Sequence, residues 1–411
     1  MKTIGVAVGI GIVVAWAALG AAQDGRRGPH RRRAHPPPTT TLPPTPAPAI
    51  SGQPPGRAIA IGVGGNHSCA LTADHRAFCW GFDDILTLLA PRTAILGQRT
   101  TPTELVRSGG ATALMMQGSQ PVVRIGDTQL VSYGTWDVQP LGHVAHSPED
   151  WTADALVIDG VTAGTTLVPS ADGSILCALA SGALRCRGAN QYGQLGAGLD
   201  AEASADLVAV TGLREVRSVS SGGSTTCAID ASGLSCWGRG FDGALGTGSM
   251  ANASVPGRVA VEGAVEVAVS RRTHACARDA SGGVWCWGRG NEGQVGNAAA
   301  SRPTPGRVAG VEGAIAIAVG QHFSCAVVAG GAVRCWGAGN EGQLGDGGTS
   351  GSVVPVSVRG LSGVVSLALG DAHACALDAA GAVWCWGRNR EGSCGVTGAV
   401  QQSVPVRVLG P

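Results

Sequence analysis

The side chains best suited to chemistry in this sequence are thiols and imidazoles, and they recur in a fixed pattern. Cys69 and Cys79, Cys177 and Cys186, Cys227 and Cys236, Cys276 and Cys286, Cys325 and Cys335, and Cys375 and Cys385 each stand nine or ten residues apart across a glycine-containing turn. On the two strands of a hairpin, such partners face one another with Cα atoms about 4.5 Å apart, near the short end of what a disulfide spans. Six bridges are therefore expected, each closing a loop of about 11 residues and contributing roughly 2–3 kcal/mol. Zinc is the competing reading, because His67, His274 and His373 each lie two residues before a cysteine on the same strand face. Zinc knuckles, however, place only about two to four residues between cysteines, and Thr225 takes the histidine's place in one copy. Neither a metal nor a cofactor is expected. Cys394 has no partner at the bridging spacing and fills a slot held elsewhere by Leu195, Leu245, Val295 and Leu344. It is expected to be a free, buried thiol.

The remaining chemical candidates dissolve into the same repeat. Glu292, Glu341 and Glu391 resemble paired acids, but they occupy one loop position in successive copies and are expected to be solvated turn residues. The phrases GRGFDG, GRGNEG and GAGNEG fit a dinucleotide-binding fingerprint, yet they recur copy after copy and open into loops. Their glycines serve turns. There is no phosphate-binding loop with its lysine, no HExxH and no calcium loop, so no catalytic residue is assigned.

What must position these residues is an all-β scaffold. The glycine after each CW phrase or its equivalent falls at Gly81, Gly134, Gly188, Gly238, Gly288, Gly337 and Gly387, a period near 50. Each copy contains an alternating run such as AIAIAVG, a hairpin such as CALDAAGAVWCWG, a glycine-rich loop with GQLG, and a VPVRV-like strand. Strict alternation between turn signals means strands, and four short strands per copy make a propeller blade. Copy two keeps the register although Val122 and Ser132 replace its cysteines. The expected fold is a seven-bladed β-propeller over residues 57–411, with the ring closed by pairing Val404–Leu409 against Ala58–Val63.

The phrase H-x-C-A-L…G-x-V-x-C-W-G…G-Q-L-G resembles the regulator of chromosome condensation repeat family, over roughly Ala58 to Gly410. The resemblance implies a seven-bladed propeller. Its eukaryotic founder binds nucleosomes and drives nucleotide exchange on a small GTPase, while secreted bacterial relatives include a β-lactamase-inhibitor propeller. The secreted bacterial branch is the expected placement here, for two reasons. Residues 1–22 read as a signal peptide or N-terminal anchor: Lys2, an apolar run, then Gly20 and Ala22. Regular cysteine pairs also suit an oxidising compartment.

Residues 23–56 form an Arg- and Pro-rich linker that lacks the apolar period needed for a core. Lys2 and five of the arginines lie in residues 1–56 against Asp24 alone, which leaves the body mildly acidic. An acidic body argues against nucleic acid as a partner. The membrane enters only if the N-terminal segment is retained.

The function expected from these features is that of an exported, non-catalytic binding or scaffold propeller, periplasmic, at the cell surface or extracellular. It would act as a monomer on a protein or glycan. The alternatives are a carbohydrate-active enzyme with its site in the axial mouth, and a guanine-nucleotide-exchange-type regulator by family analogy. The partner site is placed at Phe82, Leu86, Leu89, Tyr133, Trp136 and Trp151, where aromatic and aliphatic anchors gather outside the repeat phrase.

Overall fold

The structure, a computed structural model of the chain, describes residues 56–83, 97–105, 108–126, 129–133, 154–156, 161–272 and 274–410. Seven four-stranded antiparallel sheets follow one another along the chain, each built from four consecutive strands. Blades one to seven span residues 58–104, 111–156, 166–209, 218–258, 264–307, 314–357 and 364–409. The first strand of a blade, such as Ala314–Val319, is almost wholly buried, whereas the fourth, such as Ser352–Ser357, is mostly exposed. First strands of neighbouring blades contact one another, so they line the axis and the fourth strands form the rim. Small residues in Ala314–Val319 (AIAIAV) allow this close approach around the axis.

The CWG phrase can be read residue by residue. Its cysteine lies directly opposite the first cysteine of the hairpin, as in Cys375↔Cys385. All six pairs are bridged, with Cα atoms 4.0–4.1 Å apart. Its tryptophan reaches to the preceding blade and donates through Nε1 to a carbonyl in that blade's GQLG loop. Trp237 bonds Gln194 O at 2.9 Å, Trp336 bonds Gln294 O at 2.9 Å and Trp386 bonds Gln343 O at 2.9 Å. Its glycine sits at a bulge with positive φ, as at Gly387 (φ 102°), where a Cβ would lie 2.5 Å from Ala372 O. Only glycine fits there.

Seven apolar clusters form the core, and each joins two adjacent blades. One packs Ile61, Val63 and Trp80 of blade one against Leu377, Val383, Cys394 and Leu409 of blade seven. Another packs Met115, Val122 and Leu130 of blade two against Leu167, Leu176 and Ala178 of blade three.

The expected ring closure is corrected. The last strand, Gln401–Leu409, pairs with Val383–Arg388 of its own blade, and Ala58–Val63 pairs only with His67–Thr72. No sheet is shared between the two ends of the chain. The PVxV strand that looked spare is the fourth strand of blade seven, because each copy starts at its axial strand and ends at its rim strand. Closure uses the same contacts as the junction of blades five and six: Trp80 Nε1 donates to Ser393 O at 3.1 Å as Trp336 does to Gln294 O, and Ala58 N donates to Gly381 O at 2.9 Å as Ala314 N does to Gly282 O.

Candidate protein-binding face

Strands one and three of each blade run in the same direction, so the turns after them emerge on one face of the ring. This face carries the loops Gly64–Asn66, Ser270–Arg272, Gly320–His322 and Gly370–Ala372 around the axis, and the glycine-rich GQLG loops outside them. Arg271 of blade five reaches toward Asp371 of blade seven, with Nη1 3.6 Å from Oδ1. A Cβ on Gly65 of blade one would lie within 3.1 Å of the same guanidinium. Three blades thus meet at one ion pair over a narrow axial cavity of about 20 Å³, floored by Val63, Met116, Val319 and Leu369.

Beside this mouth a cleft of about 370 Å³ opens between blades five to seven, lined by Glu292, Gln321, His322, Glu341, Asp371 and Arg388. The loop glutamates sit in turns as expected, Glu292 exposed and Glu341 and Glu391 part-buried. Glu292 and Glu341 line the same cleft, and Arg390 of blade seven bonds Glu341 of blade six at 3.3 Å. Arg388 lies 3.6 Å from Glu391. Burial lowers the pKa of His322 and favours its neutral form. Two of the cleft's three carboxylates therefore face arginines, an arrangement suited to exchanging ion pairs with a protein surface.

The three cysteine-associated histidines point elsewhere. His373 Nε2 lies 2.9 Å from Ser68 Oγ, whose hydroxyl donates to Ser393 O at 3.1 Å. His274 Nε2 lies 3.0 Å from Ser324 Oγ, which donates to Gln294 O at 3.0 Å. Each serine spends its proton on the carbonyl, so each histidine donates from Nε2. Desolvation takes His373 and His274 down to about 3 and His67 down to about 4, leaving all three rings neutral. Among the described residues His67 Nε2 has no partner, since Pro121 occupies the corresponding serine position in blade two. The His373 and His274 contacts are inter-blade latches. Among the described residues no group of three or more His, Cys, Asp or Glu is placed to hold a metal.

Cys394 is buried and unpaired, and burial pushes its thiol pKa well up. Of the expected partner-site residues, Phe82 is 36% exposed on blade one. Tyr133, in the slot that tryptophan holds in the CWG phrase, is fully buried in the core between blades one and two, which removes it from any binding surface. Leu86, Leu89, Trp136 and Trp151 lie outside the described residues, as do residues 1–55. No helix among the described residues is long and apolar enough to cross a membrane.

Residues 58–84, 265–294, 314–343 and 364–393 match one form of the Regulator of chromosome condensation (RCC1) repeat, and residues 281–327, 330–377 and 380–411 match another. The ring resembles Prp20p from Saccharomyces cerevisiae, a structure described with its binding to Gsp1p and histones. The TM-score is 0.63 at 20% identity, covering 76% of this chain and 80% of that one. Human WBSCR16 gives a TM-score of 0.64 at 19% identity over 82% and 95% of the two chains. Yeast RCC1 (Prp20) bound by Kap60 gives 0.64 at 20% identity over 76% and 78%. Such identities show a shared fold. No curated protein sequence matches the chain.

These findings correct the placement in a secreted bacterial branch, and with it the exported, signal-peptide and cell-surface reading. These three propellers are yeast and human proteins, and the yeast one is described with Gsp1p, histones and Kap60. Hairpin register sets the two residues of each pair face to face in any compartment, so their spacing by itself does not place the protein.

Proposed function

We propose that the chain is a regulator of the guanine-nucleotide-exchange type, acting by binding a small GTPase against the turn-bearing face of its ring. The observation that carries this reading is the three-blade mouth at Arg271 and Asp371 with its flanking cleft. It is a polar, largely preformed surface on the fold shared with Prp20p, which was characterised with Gsp1p. Exchange needs no acid, base, nucleophile or metal from the regulator. A protein that binds the nucleotide-free GTPase more tightly than the loaded one must, by linkage, weaken nucleotide binding by the same factor. Each tenfold of that preference corresponds to about 1.4 kcal/mol of surface complementarity, which ion pairs exchanged at such a mouth supply.

The test is release of a fluorescent GDP analogue from loaded Gsp1p, and from a panel of small GTPases, in the presence of excess unlabelled GDP. The chain should accelerate release at least tenfold for one member, and Arg271→Ala with Asp371→Ala should abolish the acceleration. Unchanged release across the panel, with folded protein at saturating concentration, overturns the reading.

A further inference from the structure

The chain's own repeats mark a second place on this face. After the CWG glycine, blades five and six continue Arg-Gly-Asn-Glu-Gly and Ala-Gly-Asn-Glu-Gly, and blade seven Arg-Asn-Arg-Glu-Gly. In blade three the fourth of these slots is Tyr192 instead of an acid, and in blade four the third slot is Phe241 instead of a polar residue. These two departures meet at one side chain. The Arg239 guanidinium carbon stands over the Tyr192 ring at 5.3 Å and over the Phe241 ring at 5.1 Å. Among the described residues no carboxylate or carbonyl pairs with that guanidinium, whereas Arg388 and Arg390 in blade seven both have acidic partners. Phe241 is 55% exposed, and the neighbouring Met250 is 58% exposed.

The group is held rigidly. Arg239 N donates to Ser224 O at 2.8 Å, and Thr225 Oγ1 donates to Arg239 O at 2.9 Å. Gly240 N is bonded to Asn252 Oδ1 at 3.1 Å. Phe241 opens a single 3₁₀ turn in which Asp242 adopts φ +57°, and Ser301 Oγ of blade five fastens that turn by donating to Asp242 O at 2.8 Å. An arginine stacked on fixed rings loses little entropy on binding and keeps its N–H edge for a planar oxyanion. The exposed Phe241 and Met250 beside it supply apolar area, which with the arginine is the composition of a binding hot spot.

We propose that Tyr192, Arg239 and Phe241 form a docking site for an acidic segment of a protein partner, in which a carboxylate pairs with Arg239 and an adjacent apolar side chain covers Phe241. This rests on the reading of the face as protein-binding. A carboxylate is the fitting oxyanion because the body is mildly acidic and would repel the continuous charge of a nucleic acid.

The test uses fluorescence anisotropy with a fluorescein-labelled peptide of alternating glutamate and leucine in a serine–glycine background, and its glutamine counterpart. The substitutions copy residues that other blades carry in the same slots, so the ring has already accepted them: Arg239→Ala, Phe241→Asn and Tyr192→Glu. The glutamate peptide should bind at least tenfold more tightly than the glutamine one, and Arg239→Ala should erase that difference. Phe241→Asn should weaken both peptides, with the melting temperature of each variant close to that of the parent. Equal binding of the two peptides overturns the proposal, as does undiminished glutamate-peptide binding by the Arg239→Ala, Tyr192→Glu double variant. Displacement by an oligothymidylate at lower concentration than by unlabelled glutamate peptide also overturns it. Peptide binding is independent of nucleotide release, so loss of the exchange activity leaves this site standing and the reverse holds equally.

Discussion

Replacing Ser68 with alanine asks whether the two ends of the chain close the ring as firmly as an internal junction. Ser68 Oγ accepts from His373 Nε2 at 2.9 Å and donates to Ser393 O at 3.1 Å, all three groups being buried. Ser393 O keeps a donor after the change, because Trp80 Nε1 also reaches it at 3.1 Å. His373 Nε2 does not, and an orphaned buried donor costs about 1–3 kcal/mol. Loss of the second bond brings the expected cost to about 2 kcal/mol. Ser324 makes the same pair of bonds between blades five and six, so Ser324→Ala should cost the same amount. Equilibrium denaturation in guanidinium chloride, monitored by tryptophan fluorescence, gives both values. A Ser68→Ala cost under about 0.5 kcal/mol, beside a full cost for Ser324→Ala, would refute closure through the latch.

Four further outcomes follow from the same contacts. His67, His274 and His373 have folded-state pKa values of about 4, 3 and 3, below the unfolded 6.5, so the unfolded chain takes up more protons as the medium is acidified. Their contribution is complete above pH 6.5 and is lost as pH falls toward 4. It costs about 2 kcal/mol per histidine by pH 5, read as a falling urea midpoint. Glu266, raised to about 7 by burial against the pull of Arg278, opposes this trend between pH 4.5 and 7. His67→Phe, which copies Phe323 in blade six, should raise stability by about 1–3 kcal/mol by removing the unpartnered Nε2, and a lowered denaturation midpoint would contradict that. Ellman's reagent should find no reactive thiol in the native oxidised protein and one, Cys394, after unfolding without reductant. Hydrogen exchange should be faster in the blade-two hairpin, where Val122 faces Ser132 without a bridge, than in the six bridged hairpins, and equal protection would count against a stabilising role of the bridges.

The seven blades and the bridged hairpins were legible in the sequence because both are local. A period near 50 and a spacing of nine or ten residues across a turn leave the backbone little choice. The burial of Cys394 was legible for the same reason, since its neighbours in the repeat, Leu195, Leu245, Val295 and Leu344, are all buried. Closure was not. The strand ending at Leu409 satisfies the same alternation whether it pairs with Val383–Arg388 or with Ala58–Val63, and a repeat carries no mark of where one copy begins. Tertiary structure also decided that Glu292 and Glu341 share a cleft, that His373 reaches Ser68, and that Tyr192 and Phe241 flank Arg239. Tyr133 was misplaced on a rim because a single aromatic in a strand looks alike whether it faces core or solvent. Apart from Phe241 beside Arg239, each of these contacts joins neighbouring blades, residues separated by about a whole repeat or by most of the chain. Pattern along one strand reports which side chains are buried on a face, whereas the curvature of the ring determines which residues of two faces meet.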